Sequence, residues 1–334
     1  MEQNVSEVFS EKIWIMSAKK TIQYIRQYKW SNVFAMIRNN YSEPKICTDD
    51  FKNKLVVITG ATSGIGLVTA HKYASKGADL LCINRNKEKS EKLKHDIENS
   101  YGVSCDYLIA DLSSLEESFQ VANELNTLSK PIDVLIHNAG VFLTKRELTP
   151  EGFEKVLAIH YLSSFVINFT LIDKLKSQQK ARIIMVGSEG HRFAAWGLNI
   201  NDLNWEKRRY SGLGSYGSAK LAQLLSMLVF VDYFKNSGVT INTMHPGAVK
   251  SESGKTNGWL YKWYKKNVID PGLKSAECSA EALYYLGVSP KMEGKTGNFY
   301  NLTTLEEPAP PALDKDVALE LWQKTLEILN LVEV

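Results

Sequence analysis

Thr59-Gly60-Ala61-Thr62-Ser63-Gly64-Ile65-Gly66 follows the apolar run Leu55-Val56-Val57-Ile58 and precedes a helical pattern through Val68, Ala70, Tyr73 and Ala74. Strand, glycine turn and helix, in that order, are the setting in which a glycine spacing points to dinucleotide binding. Gly60 allows a sharp turn after the strand. Gly64 and Gly66 leave room for a pyrophosphate to reach backbone N–H groups and for the helix to lie close to the sheet. Ser63 and Ile65 complete the loop. The spacing is Gly-x-x-x-Gly-x-Gly rather than the commoner Gly-x-Gly-x-x-Gly.

Outward from this turn, short apolar runs alternate with helical segments. Strands are predicted at 54–59, 79–84, 104–109, 132–138, 181–187, 239–244 and 297–300, with helical patterns at 113–128, 151–177, 215–236 and near 313–330. Strands separated by helix-length segments imply parallel pairing through right-handed crossovers. The expectation is an α/β, Rossmann-type doubly wound domain with a mostly parallel seven-stranded sheet over 51–334, preceded by an N-terminal helical extension and linker over 1–50.

The bulk properties agree with one such domain. A chain of 334 residues with 44% hydrophobic content can bury a large core. Net charge is 40 − 37 = +3, too small to suggest a nucleic-acid partner. Cys47, Cys82, Cys105 and Cys278 lack metal-ligand spacing and read as free thiols, which places the chain in a reducing, cytoplasmic setting. Six scattered histidines without a His-x-x-x-His pair give no reason to expect a metal.

The extension carries Ile13-Trp14-Ile15-Met16, too short for a membrane span or signal peptide. Ile22, Ile25, Val33, Met36 and Ile37 recur at helical spacing, with Lys19, Lys20, Arg26, Lys29 and Arg38 among them. This is an amphipathic helix packed on its own body or on a partner subunit of a homo-oligomer. A peripheral membrane-surface anchor is the second reading. Tyr41 to Asp50 reads as linker.

Where the second strand ends, an NAD-binding chain usually has a carboxylate for the ribose hydroxyl. Here Asn84 and Arg85 stand there, and a guanidinium suits a 2′-phosphate. The expected cofactor is therefore NADP(H). Beyond the fifth strand, Gly187-Ser188 is followed by Tyr216-Gly217-Ser218-Ala219-Lys220. The i, i+4 spacing puts Tyr216 and Lys220 on one helix face. An ammonium beside the phenol favours the phenolate, so Tyr216 can exchange a proton with a carbonyl or alcohol oxygen that Ser188 holds. Lys220 can also bind the nicotinamide ribose. Tyr41…Lys45 and Tyr261…Lys265 share the spacing, but only Tyr216…Lys220 follows Ser188 in the order the sheet requires.

Taken together, residues 51–330 resemble the short-chain dehydrogenase/reductase superfamily. Tyr216-Gly217-Ser218-Ala219-Lys220-Leu221-Ala222, His245-Pro246-Gly247 and Glu307-Pro308…Leu321-Trp322 are similar to its retinol-dehydrogenase-like branch. The resemblance implies carbonyl reduction or alcohol oxidation with NADP(H) on a lipophilic small molecule, with Ser188, Tyr216 and Lys220 catalytic. It also implies an adenine contact at Asp111-Leu112, a cofactor-binding turn at Asn138-Ala139-Gly140, and cofactor contacts at Pro246 and Gly247. His137 stands where the family more often has Asn. The fourth catalytic position, an Asn in an Asn-x-Leu-x-x-Phe pattern, falls on His160 in His160-Tyr161-Leu162-Ser163-Ser164-Phe165.

Two other functions fit the sequence less well. Val186-Gly187-Ser188-Glu189-Gly190 lacks a glycine two residues before the serine, which removes the hydrolase nucleophile elbow. A cofactor-binding sensor or scaffold with weak chemistry fits the glycine loop and the change at His160, but not an intact Ser188–Tyr216–Lys220 set. Ser251 to Leu273, with Trp259, Leu260, Tyr261, Trp263 and Tyr264, is the expected apolar lid over the substrate.

Overall fold

The structure, a computed structural model, describes residues 20–40, 42–247 and 275–332. The Ile13–Met16 run and the lid expected at 251–273 lie outside the described residues. Eight strands form one sheet: β1 (Leu55–Thr59), β2 (Asp79–Asn84), β3 (Cys105–Ile109), β4 (Ile132–His137), β5 (Ala181–Val186), β6 (Val239–His245), β7 (Phe299–Asn301) and β8 (Thr304–Glu306). Their order is β3-β2-β1-β4-β5-β6-β7-β8. Every pairing is parallel except β7 with β8.

The apolar runs are continuous because both faces of the sheet are covered. Leu55 and Val57 of β1 enter one core cluster, while Val56 and Ile58 enter the other. The first cluster holds α4 (Leu115–Thr127), α5 (Ser163–Thr170), α6 (Gly212–Tyr233) and α8 (Lys315–Ile328) against the sheet. The second holds α2 (Gly64–Ala74), α3 (Lys87–Tyr101) and α7 (Ala276–Val288). Strand order reverses between β1 and β4, and in open α/β sheets ligands bind at the carboxyl ends of strands flanking that point.

Two expectations need correction. The sheet has eight strands, not seven. Asn301 pairs with Thr304 across a tight turn at Leu302 and Thr303, and Leu302 adopts φ 53°. Tight hairpins favour Asn-Gly or Asp-Gly, so Leu-Thr carries no turn signal. Tertiary contacts hold it instead: Leu302 is buried and its N–H donates to the His245 carbonyl at 2.9 Å.

The second correction concerns the arm, where residues 20–27 and α1 (Trp30–Asn40) are helical. It packs on its own body, but through polar residues rather than the apolar stripe. The Tyr24 hydroxyl donates to Asp314 at 2.7 Å, and Asn39 Nδ2 donates to Glu306 at 2.9 Å. Ile22, Ile25 and Ile37 are exposed among the described residues. The linker is docked too: Lys45 N–H donates to Thr303, Tyr284 donates to the Asp49 carbonyl, and Cys47 joins a core cluster.

Candidate active site

Between β1 and α2 the glycine loop is tied to the end of β2, with the Gly60 N–H donating to the Ile83 carbonyl at 2.8 Å. Gly60 has φ 73°, a left-handed turn that suits glycine. A Cβ on Gly66 would lie 2.1 Å from the Gly60 carbonyl oxygen, so no larger residue fits where α2 begins. Ser63 occupies the N-cap of α2, yet its side chain makes no capping bond. Those first-turn N–H groups suit a phosphate. Ala61 N–H donates to Asn84 Oδ1 at 2.7 Å, tying the loop to the end of β2.

Across the crevice, Asn138 Nδ2 donates to the carbonyls of Thr59 and Gly60 at 3.0 and 2.9 Å. The Thr59 hydroxyl accepts from Asn138 and Ala139 N–H groups, both at 2.9 Å. Asn138-Ala139-Gly140 is thus clamped to the glycine loop. His137, one residue earlier, turns away into the core and meets Asn168 at 2.8 Å. Burial pushes its imidazole down to about 4, so it is neutral.

Arg85 extends from the end of β2, 72% exposed, within 3.7 Å of Asp111. Asp111 also accepts from Ser113 N–H at 2.9 Å, and Leu112 is buried beside it. The donor set and the glycine cradle fit a dinucleotide. At the far end, Pro246 accepts from Ser279 at 2.6 Å, and Gly247, with φ 80°, packs on Leu302.

The clamped turn leads directly to the acid–base residues. His160 lies in a π-helical turn, Ala158–Leu162, of a kind that often marks functional sites. A Cβ on Gly140 would sit 2.5 Å from His160 Cε1, so the imidazole packs against that glycine through its Cε1 edge. His160 Nε2 meets Val141 N at 3.0 Å and Val141 O at 2.8 Å. Its Nδ1 is buried with no protein partner among the described residues. The other edge of the ring meets Tyr216, centroids 5.3 Å apart and perpendicular. Burial first, then the Lys220 charge, hold His160 well below the usual imidazole range, against the opposing Val141 bond.

Tyr216 and Ser188 meet over Gly190, where a Cβ would lie 2.6 Å from Tyr216 Cε1 and 3.1 Å from Ser188 Oγ. Lys220 lies below them, Nζ 5.9 Å from the Tyr216 ring centroid. It donates to the Val186 carbonyl at 2.6 Å and to Gln223 Oε1 at 3.1 Å. Burial pulls its amine down to about 7. The expected depression of the phenol by Lys220 is not what the site produces. Burial raises the Tyr216 pKa and the nearby Ser188 hydroxyl only partly opposes it, so the phenol stands as the acid.

Several residues escaped the sequence reading. Glu154, fully buried, caps Val156 and Leu157 N–H groups at 3.1 and 2.8 Å. It also accepts from Tyr210 and from Ser215, each at 3.1 Å, anchoring the start of α6 next to Tyr216. Gly190 is needed because a Cβ there would lie 2.6 Å from Tyr216 Cε1 and 3.1 Å from Ser188 Oγ. Its place two residues after Ser188 was the available signal. His191 bridges the Ser188 carbonyl (Nδ1, 2.7 Å) and Ala309 N–H (Nε2, 3.0 Å). Since Nε2 accepts, Nδ1 carries the proton. Arg192 joins Glu189 at 2.5 Å to Glu306 at 3.0 Å. Burial chiefly raises Glu189 to about 7, against the pull of Arg192, with Glu306 adding to the rise.

Known proteins resemble this chain over most of its length. Residues 54–199 match the short chain dehydrogenase family. Human retinol dehydrogenase 13 is 32% identical over 83% of this chain and 85% of that protein. A WW domain-containing oxidoreductase of Danio rerio is 31% identical over 82% of this chain and 68% of that protein. A solved Mycobacterium Paratuberculosis protein superposes with a TM-score of 0.65 at 25% identity, over 85% of this chain and 96% of its own. Identity at that level across four fifths of the sequence, with the family match over residues 54–199, makes this chain a member of the short-chain dehydrogenase/reductase family.

Proposed function

We propose that the protein is an NADP(H)-dependent oxidoreductase that interconverts a carbonyl and an alcohol on a lipophilic small molecule. The observation that carries this reading is the meeting of Ser188 and Tyr216 over Gly190, with His160 packed between Tyr216 and the clamped Asn138-Ala139-Gly140 turn.

Gly60, Ser63, Gly64, Ile65 and Gly66 would hold the pyrophosphate, with Arg85 at a 2′-phosphate and Asp111-Leu112 at the adenine. The bound dinucleotide supplies or accepts hydride at the substrate carbon. Tyr216, kept protonated by burial, gives its proton to the carbonyl oxygen in reduction and takes one back in oxidation. Ser188 donates to the same oxygen. Lys220 stabilises the phenolate left behind when it carries a proton of its own. His160 Nδ1, buried and without a protein partner among the described residues, would bond a water that returns a proton to this pair. A sensor without chemistry would have no use for two hydroxyls paired above a buried lysine.

The test is NADPH consumption against straight-chain aldehydes and ketones from hexanal to dodecanal, repeated with NADH and with the Tyr216→Phe variant. Turnover that rises with chain length, prefers NADPH and falls at least about a thousandfold in Tyr216→Phe, roughly 4 kcal/mol of barrier, supports the reading. Undiminished turnover in Tyr216→Phe, while NADPH still binds, removes Tyr216 as the acid.

A further inference from the structure

The arm is joined to the serine loop by one run of buried polar contacts. Ser188 follows β5 and opens the 3-10 turn Glu189–Ala194. Arg192 on that turn forks between Glu189 and Glu306 Oε1 and also donates to the Glu307 carbonyl at 3.1 Å. The second carboxylate oxygen of Glu306, Oε2, accepts from Asn39 Nδ2 at 2.9 Å. Asn39 is 4% exposed and the Glu306 side chain 1%. Tyr28, also on the arm, lies within reach of the Arg192 charge, which opposes the rise that burial imposes on its hydroxyl.

A six-residue 3-10 turn has poorer internal hydrogen bonds than an α-helix, so its placement depends on what grips it. Here the grips are His191, on Ala309, and Arg192, on β8. Glu306 is a buried carboxylate and stays in place only if both its oxygens are satisfied. Arg192 satisfies one and Asn39 the other. Without Asn39, one oxygen is orphaned and the carboxylate can turn on Arg192, which carries the turn bearing Ser188.

We propose that the N-terminal arm is a positioning element for the catalytic serine, acting from Asn39 through Glu306 and Arg192. This rests on the role given to Ser188 above. Asn39, Glu306 and Arg192 are not among the residues assigned above to substrate or cofactor, so the effect falls on turnover rather than on nucleotide binding.

The experiment is a cycle of Asn39→Leu, Arg192→Lys and the double variant in the full chain, with NADPH and the fastest aldehyde of the hexanal–dodecanal series. Arg192→Lys keeps the charge and gives up the fork. Asn39→Leu should lower kcat about fivefold or more while KM for NADPH stays within about twofold, and the double variant should lose no more than the worse single one, because both act on one path. A kcat within about twofold of the parent, losses that multiply, or a loss confined to KM would each overturn the proposal. If Asn39→Leu does not fold, Asn39→Ser, too short to reach Glu306, is read the same way. Ser188→Ala separates the two readings: unaltered kcat there removes the catalytic serine and this proposal with it. A large loss there with neutral Asn39 variants removes the arm's role alone.

Discussion

Replacing Lys220 with Met should uncouple stability from turnover in a way that pH exposes. The lysine is 4% exposed, and burial brings its amine from 10.5 to about 7. In the unfolded chain it returns to about 10.4. Between those values the unfolded state holds a proton that the native state has given up, so lysine makes the parent more stable as pH rises. The limiting slope is about 1.4 kcal/mol per pH unit. Because the amine is half protonated near pH 7, the gain from pH 7 to pH 9 is about 2–3 kcal/mol.

Met binds no proton and lacks this slope. It also leaves the Val186 carbonyl and Gln223 without their donor, a cost of about 1–3 kcal/mol each that does not vary with pH. The offset between the two proteins therefore has either sign, but its change does not. The variant's stability minus the parent's should fall by about 2–3 kcal/mol between pH 7 and pH 9. Urea unfolding at pH 7, 8 and 9, followed by tryptophan fluorescence without added nucleotide, measures it. NADPH turnover by the variant should fall at least about a hundredfold, roughly 2.7 kcal/mol. Stability curves that stay parallel to within about 0.5 kcal/mol would mean that the amine remains charged in the fold, and the argument from desolvation would fail.

Two further substitutions probe the cofactor and the relay. Arg85→Asp should weaken NADP(H) by about ten- to a hundredfold and NAD(H) by less than about threefold, read by fluorescence titration. The Asp111 contact at 3.7 Å is exposed and weak enough to yield to a phosphate, and equal loss for both nucleotides would take Arg85 out of that role. His160→Asn should keep turnover within about tenfold, whereas His160→Leu, which can hold no water, should lose more at saturating NADPH. Parent-like turnover in the Leu variant would make His160 only a packing residue against Gly140.

Much of the site was legible because its residues sit at fixed distances along the chain within elements that local pattern reveals. The runs at β1 and β5 are continuous because both faces of the sheet are buried, and Tyr216 and Lys220 share a face because they are one helical turn apart. Their order after Ser188 then placed them at one crevice. The family resemblance singled out His160 as a substitution, and the structure supplied what surrounds it: the π turn, the Gly140 contact and a buried Nδ1.

The rest depended on single contacts between distant residues, which leave no period in the sequence. β8 forms although Leu302 and Thr303 are poor turn residues, because the core buries Leu302 and His245 satisfies its N–H. The arm's apolar spacing suggested one docking face, and Asn39 with Glu306, 267 residues apart, selected another. Spacing foretold that Lys220 would lie near Tyr216. Only the packed site decided that burial governs both groups, raising the phenol and pulling the amine down to about 7. By itself, then, the sequence determined the parallel sheet, the glycine cradle and the order of the acid–base residues, because local periodicity and chain order encode them. Tertiary structure decided the protonation states and the grip of the arm on the serine loop, because desolvation and a lone buried hydrogen bond exist only once distant segments meet.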